Sequence, residues 1–205
     1  MRILLIASAA ALSLAGIASA EVRNLTGFTS VTTSDRIPVE VRQGESYRVE
    51  VLGSDAGRVR TELDGRALEI RQRNRPWFGE PRLIDARVVV TAPNFQALAA
   101  SRGGSIRAEG LRANDMSLSA SMGGSIDASG ECRALSASAS MGGSIDADNL
   151  ECETANISAS MGGDAQVFAS RTYNASASMG GAVRIEGNPQ RGETSASMGG
   201  SVSTD

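Results

Sequence analysis

Between Leu118 and Ala177 the chain alternates apolar and polar side chains with a period of two. Leu118, Ala137, Ile157 and Ala175 each stand two residues ahead of Ala120, Ala139, Ala159 and Ala177, and Ser119, Ser138, Ser158 and Ser176 fill the gaps. Successive side chains of extended backbone point to opposite sides, so this pattern predicts strands with one buried face. Each strand runs into a Ser-x-Gly-Gly tetrad, beginning at Ser101, Ser121, Ser140, Ser160, Ser178 and Ser197. Beyond the tetrads a second alternation appears, with Ile106, Ile126, Ile145, Ala165, Val183 and Val202 two residues ahead of Ala108, Ala128, Ala147, Val167, Ile185 and Thr204. No stretch keeps a 3.6-residue period long enough for a helix. Each repeat is predicted to be two short strands joined at a Gly-Gly corner and closed by a polar turn.

The tetrads are separated by 20, 19, 20, 18 and 19 residues. A period so short and regular means a solenoid. Coils of strands stacked in register, ~4.8 Å apart, make a parallel β-helix. The fold class is therefore all-β, with about 19 residues per coil over residues 95–205, and alanine in the inward columns implies a thin core. Met122, Met141, Met161, Met179 and Met198 share the parity of those columns, so they are expected to point inward and fill the gap near the corner. The competing reading is a row of soft thioether ligands for copper(I). The outward serines read as solvated strand faces. An ice-binding face of ordered hydroxyls would favour the stiffer threonine.

The earlier part of the chain also alternates, at Val39 and Val41, Val49 and Val51, and Leu68 and Ile70. Asp64-Gly65 is a two-residue hairpin signal, Pro38 points to an edge strand, and Val88-Val89-Val90 reads as a buried strand leading into the first coil. No linker separates the halves, so residues 21–205 are read as one domain, with an N-terminal β region at 21–94. Residues 1–20 read as a secretory signal peptide: Arg2, the apolar run from Ile3 to Ile17, and the small-x-small site Ala18-Ser19-Ala20. Export to the periplasm, the cell surface or the medium follows. Nothing after Ala20 approaches the ~20 apolar residues of a membrane-spanning helix, so no transmembrane segment is expected in the mature chain.

Composition narrows the chemistry. The chain of 205 residues has 20 arginines, no lysine and no histidine, which removes histidine-activated nucleophiles and histidine metal ligands. From Phe95 onward 7 arginines face 12 acids, the wrong balance for a nucleic-acid partner. The outward column six residues past each tetrad serine runs Arg107, Asp127, Asp146, Gln166, Arg184, Ser203. Asp127 and Asp146 would sit one coil apart, with Arg107 relieving their repulsion. Two carboxylates fall short of the six to eight oxygens calcium takes, and without a lysine or histidine base they make a weak acid–base pair, so no cofactor or metal is expected. The single tryptophan, Trp77, lies beside Phe78 in an Arg- and Pro-rich segment: either a cap folded against the solenoid, or an exposed binding site. Cys132 and Cys152 both lie eight residues before a tetrad serine, which stacks them in consecutive coils at a Cα separation a disulfide accepts. An exported chain is expected to form that bond, within the polar turn.

The order of Phe28-Thr29-Ser30-Val31, Val39-Glu40-Val41, Asp64-Gly65-Arg66-Ala67-Leu68-Glu69-Ile70 and Val90-Thr91-Ala92-Pro93 resembles the head domain of putative auto-transporter adhesins, the GIN domain. Ser140-Met141-Gly142-Gly143-Ser144-Ile145 and Glu186-Gly187-Asn188-Pro189 extend the resemblance over nearly all of residues 21–205. It implies a secreted, right-handed β-helix with an adhesin-like role and no catalytic residues to carry over. An auto-transporter also needs a C-terminal barrel of amphipathic strands, which this sequence does not contain, so self-secretion is not expected. The function expected is a non-enzymatic, exported envelope-binding module whose partner is an envelope polysaccharide or protein. The alternatives are a β-helix carbohydrate-active enzyme and a purely structural envelope protein.

Overall fold

The computed structural model describes residues 20–73 and 83–205. The segment read as a signal peptide (apart from Ala20) and the Trp77-Phe78 pair lie outside the described residues. The described chain forms β1 (Ala20–Arg23), β2 (Ser30–Thr33), β3 (Pro38–Gln43), β4 (Arg48–Leu52), β5 (Val59–Asp64), β6 (Ala67–Gln72), β7 (Arg87–Ala92), β8 (Ala97–Ser101) and β9 (Ser105–Ser121). The solenoid continues through β10 (Ser125–Ser140), β11 (Ser144–Ala147), β12 (Leu150–Ser160), β13 (Asp164–Phe168), β14 (Thr172–Ser178), β15 (Ala182–Glu186), β16 (Arg191–Ala196) and β17 (Ser201–Thr204). One short 3-10 turn, Ala56–Arg58, is the sole helical element among the described residues.

From β8 onward every coil pairs in parallel with the next. Ser105, Ser125, Ser144, Asp164, Ala182 and Ser201 stand side by side, as do Ser101, Ser121, Ser140, Ser160 and Ser178. The chain is a parallel β-solenoid, with the register that the tetrads predict. Its interior is a single apolar column stack: Ile106, Ile126, Ile145, Ala120, Ala139 and Ala159 are at most 2% exposed. Each inward alanine buries only a methyl group, worth about 0.8 kcal/mol, against about 1.5–3 kcal/mol for each isoleucine. The coils are therefore held as much by the hydrogen-bond ladder between them as by their core.

The coil departs from the two-strand reading. β9 runs for 17 residues and β10 for 16, and in β9 two consecutive residues face outward at Glu109-Gly110 and again at Asn114-Asp115. Each such pair breaks the alternation and bends the strand, so a coil has three sides. The segment expected to be a polar turn is the third of these, with Leu111, Leu150 and Cys152 pointing inward. Cys132 and Cys152 are direct neighbours in it and are joined by a disulfide, at a Cα separation of 4.5 Å. They lie within strands, not in a turn.

The methionines also depart from expectation. Each tetrad is a tight turn closed by a bond from the second glycine's N–H to the serine carbonyl, for example Gly124 to Ser121 at 2.9 Å. Its two central residues have positive φ, 49° at Met122 and 72° at Gly123. This is a turn of the mirror-image hairpin kind, and it ends the strand's alternation one residue before the methionine. Met122, Met141, Met161 and Met179 are consequently 46–47% exposed and Met198 72%, outside the core.

The N-terminal strands extend the solenoid out of chain order. β2 and β3 pair in parallel with β8 and β9 on one side and with β6 and β7 on the other. The segment joining β2 to β3 thus occupies the corner position, where Asp35 and Arg36 have φ near 60°. β3 is paired on both sides, so Pro38 marks its first residue and not an edge strand. A first residue needs no ladder N–H. The β5–β6 hairpin closes at Asp64 and Ala67, which makes Gly65-Arg66 its loop, one residue later than the Asp-Gly signal suggested.

Candidate functional site

The side of the solenoid that leads into the tetrads carries three parallel outward columns. The middle column is Ser119, Ser138, Ser158, Ser176 and Ser195. The column beside the corner is Ser121, Ser140, Ser160 and Ser178. The third begins as Ser117 and Ser136, then changes to Asn156, Asn174 and Glu193. Strand geometry spaces these groups about 6.7 Å apart along a strand and about 4.8 Å between strands. The amides also bond to each other, with Asn174 Nδ2 donating to Asn156 Oδ1 at 3.0 Å.

This face carries shallow, open depressions. A groove of about 480 Å³ crosses four coils over Ser136, Ser138, Asn156 and Asn174. It meets a depression of about 350 Å³ that shares Ser136 and Asn156, which in turn meets one of about 650 Å³ that shares Gln96 and Asp115. Through these shared residues the three hollows adjoin as one shallow, open channel from the bend near the disulfide across the serine face. Charged residues of both signs line its bend. Arg133 pairs with Asp115 at 3.4 Å and Arg171 with Glu153 at 3.3 Å. The amides, the carboxylate and the concavity depart from the flat, uniform hydroxyl array that ice binding requires. The chemistry offered is a dense alternation of hydrogen-bond donors and acceptors, with each of these two acids neutralised by an arginine.

The predicted carboxylate column lies on a different side of the coil. Asp127 is in register with Arg107 and Asp146, and Arg107 reaches Asp127 at 3.1 Å, as the repeat arithmetic requires. Neither aspartate lines the channel. Burial, the nearby Asp148 carboxylate and its hydrogen bond, and then Asp127, hold the Asp146 carboxyl above the usual carboxylate range. An aspartate that keeps its proton to higher pH when folded favours the folded state below the ordinary carboxylate pKa, and that advantage is lost as pH rises through the raised value. Asp146→Asn is therefore expected to stabilise the chain at pH 7, by about 0.5 kcal/mol for a like-charge cross-strand pair, or roughly 1–2 °C in Tm. The gain should vanish by about pH 3. Thermal melts at the two pH values check it. Among the described residues no group of three or more Asp, Glu, Cys or His gathers as a metal site.

The sequence reading found the serine columns but missed the charged bend. Arg133, Glu153 and Arg171 all stand seven residues before a tetrad serine, at Ser140, Ser160 and Ser178, so the same arithmetic finds them once that segment is read as strand.

A family model described as "Putative auto-transporter adhesin, head GIN domain" matches residues 27–189. No curated protein matches the chain. Among solved structures, a putative adhesin from Bacteroides fragilis is similar with a TM-score of 0.71 at 14% identity, covering 93% of this chain and 98% of that one. A putative adhesin from Parabacteroides merdae aligns with a TM-score of 0.49 at 13% identity over 93% and 97% of the two chains. A putative lipid binding protein from Parabacteroides distasonis aligns with a TM-score of 0.46 at 16% identity over 93% and 98%. At these identities the likeness to the first is one of fold.

Proposed function

We propose, from the fact that the chain belongs to the family of putative auto-transporter adhesin head GIN domains, that it is an exported, non-enzymatic binding module. Its ligand is an extended envelope polysaccharide that lies in the channel of the serine face. The whole of residues 21–205 acts as one domain in this reading, delivered by the signal peptide at residues 1–20 to the periplasm or the cell surface. The observation that carries it is the merging of three hollows into one channel across successive coils. A polymer with a regular repeat matches a surface with a regular repeat, and hydroxyl, amide and guanidinium groups suit a ligand made of hydroxyls. A protein partner would call for aromatic or large apolar anchors at the centre of the contact, and among the described residues of the channel the large apolar side chains, Met116, Leu135 and Ile157, are buried in the core. Catalysis would need an acid–base pair free to exchange protons. Of the acids that line the channel, Asp115 and Glu153 are tied to arginines, which leaves Glu131 and Glu193, and the chain has no lysine or histidine to serve as a base.

Purified protein on an array of envelope glycans is expected to bind at least one, with affinity rising as the glycan lengthens, because each added unit occupies a further coil. Affinity independent of length would contradict the channel, and retention of envelope proteins without any glycan would move the reading to a protein partner. Chain length of the bound glycan should be unchanged after prolonged incubation. Shortened products would overturn the non-enzymatic part.

A further inference from the structure

We propose that the corner methionines form a linear binding site for a soft monovalent cation, copper(I) or silver(I), held between thioethers of adjacent coils. The site lies at the turn that borders the serine face and is independent of the glycan reading.

Three observations carry it. First, the turn does not ask for methionine. Met122, Met141, Met161, Met179 and Met198 all have φ between 47° and 50°, a left-handed conformation that is unfavourable for a residue with a side chain and that Asn-Gly turns adopt readily. Second, the core does not ask for it either, since four of the five are nearly half exposed and the last more so, while Met116 fills an inward position at 2%. Where the corner is covered by the N-terminal coil, the residue is Arg102, whose Nε pairs with the buried Asp35 at 3.1 Å. Methionine recurs only on the open stretch.

Third, the spacing fits. A bond from each first glycine's N–H to the next methionine's carbonyl, as from Gly123 to Met141 at 3.2 Å and Gly142 to Met161 at 3.3 Å, locks consecutive methionines one coil apart. Taking the zinc–thiolate bond length of about 2.3 Å as a guide, two sulfurs on opposite sides of one ion stand about 4.6 Å apart, against a coil spacing of about 4.8 Å. Thioethers are soft donors that select copper(I), and three rotatable bonds let each reach the ion. Because a thioether carries no proton to displace, binding should be constant from about pH 5 to pH 8, unlike a histidine or thiolate site.

The rest of the chain makes the test clean. It has no histidine, and both cysteines are in the disulfide. Purified protein with the disulfide intact is titrated with silver(I), and separately with copper(I) kept reduced by ascorbate. Native mass spectrometry gives the stoichiometry, and methyl resonances of labelled methionine give the site. The expected result is about two ions per chain, one per thioether pair, with at least four of the five corner methyls shifting and the Met116 methyl still. Replacing all five by leucine keeps the apolar corner and should abolish binding. If that variant fails to fold, as judged by its strand signal in circular dichroism, Met141→Leu with Met161→Leu should lower the count from about two to about one. Absence of silver(I) binding by the parent chain, or a count unchanged in either variant, overturns the proposal.

Discussion

Gly143→Ala is expected to cost the solenoid about 3 kcal/mol or more, the top of the range for overpacking a close-packed site, and to lower Tm by roughly 6–12 °C for a chain of this size. A Cβ at this position would stand 2.3 Å from the Ala120 carbonyl oxygen and 2.5 Å from its carbon. The obstacle is backbone of the adjacent coil, which is itself fixed by the ladder: Ser144 N–H donates to the Gly124 carbonyl at 2.9 Å. The methyl cannot be accommodated by turning a side chain. Neighbouring positions provide the control. A Cβ at Gly142 meets nothing within 4 Å, so Gly142→Ala is charged only for φ of 71°, about 1–2 kcal/mol. Met141→Asn, at an exposed position of φ 49°, should be neutral or stabilising by up to about 1 kcal/mol. The order of the three melting temperatures checks the corner geometry residue by residue. Equal tolerance of Gly143→Ala and Gly142→Ala would mean that the coils do not approach this closely.

Reducing the Cys132–Cys152 bond, or replacing both residues by alanine, is expected to cost about 3 kcal/mol in the chain-entropy account of a loop of this length, or roughly 6–12 °C in Tm. The sequence separation is 20 residues, one coil, so the bond staples each residue to its partner in the next turn and restrains the unfolded chain without altering the ladder. Melting with and without a reductant measures the effect. Alkylation of the denatured, unreduced chain checks the bond itself. No labelled cysteine is expected, and two labelled cysteines would contradict both the bond and the register that pairs them.

Much of this was legible in the sequence because a solenoid writes its contacts as a period. Once Ser121, Ser140 and Ser160 are aligned, the pairing of Asp127 with Asp146 and of Cys132 with Cys152 follows by counting, as the register has it. The errors arose where strand parity does not apply. Continuing the alternation of Ala137 and Ala139 points Met141 inward, but the positive φ of the turn ends that alternation. Glu131-Cys132-Arg133 and Glu151-Cys152-Glu153 look like polar turns because outward charges outnumber the inward residue, yet Cys132 and Cys152 are buried and both segments are strand. Pro38 points to an edge because proline lacks a ladder donor, but position one of a strand excuses it. The channel was not legible at all, since concavity depends on how three sides meet at their bends, and no column of residues records that angle.

The claim that the serine face is the binding surface is tested most directly by measuring affinity for one array-selected glycan with two double variants of opposite placement. Ser138→Arg with Ser158→Arg fills the channel from two outward positions, whereas Asp127→Asn with Asp146→Asn changes the separate charged column without touching it. The first should weaken binding at least about tenfold, which corresponds to about 1.4 kcal/mol, and the second should leave it unchanged. Undiminished affinity in the channel variant, or its loss in the other, would contradict the account.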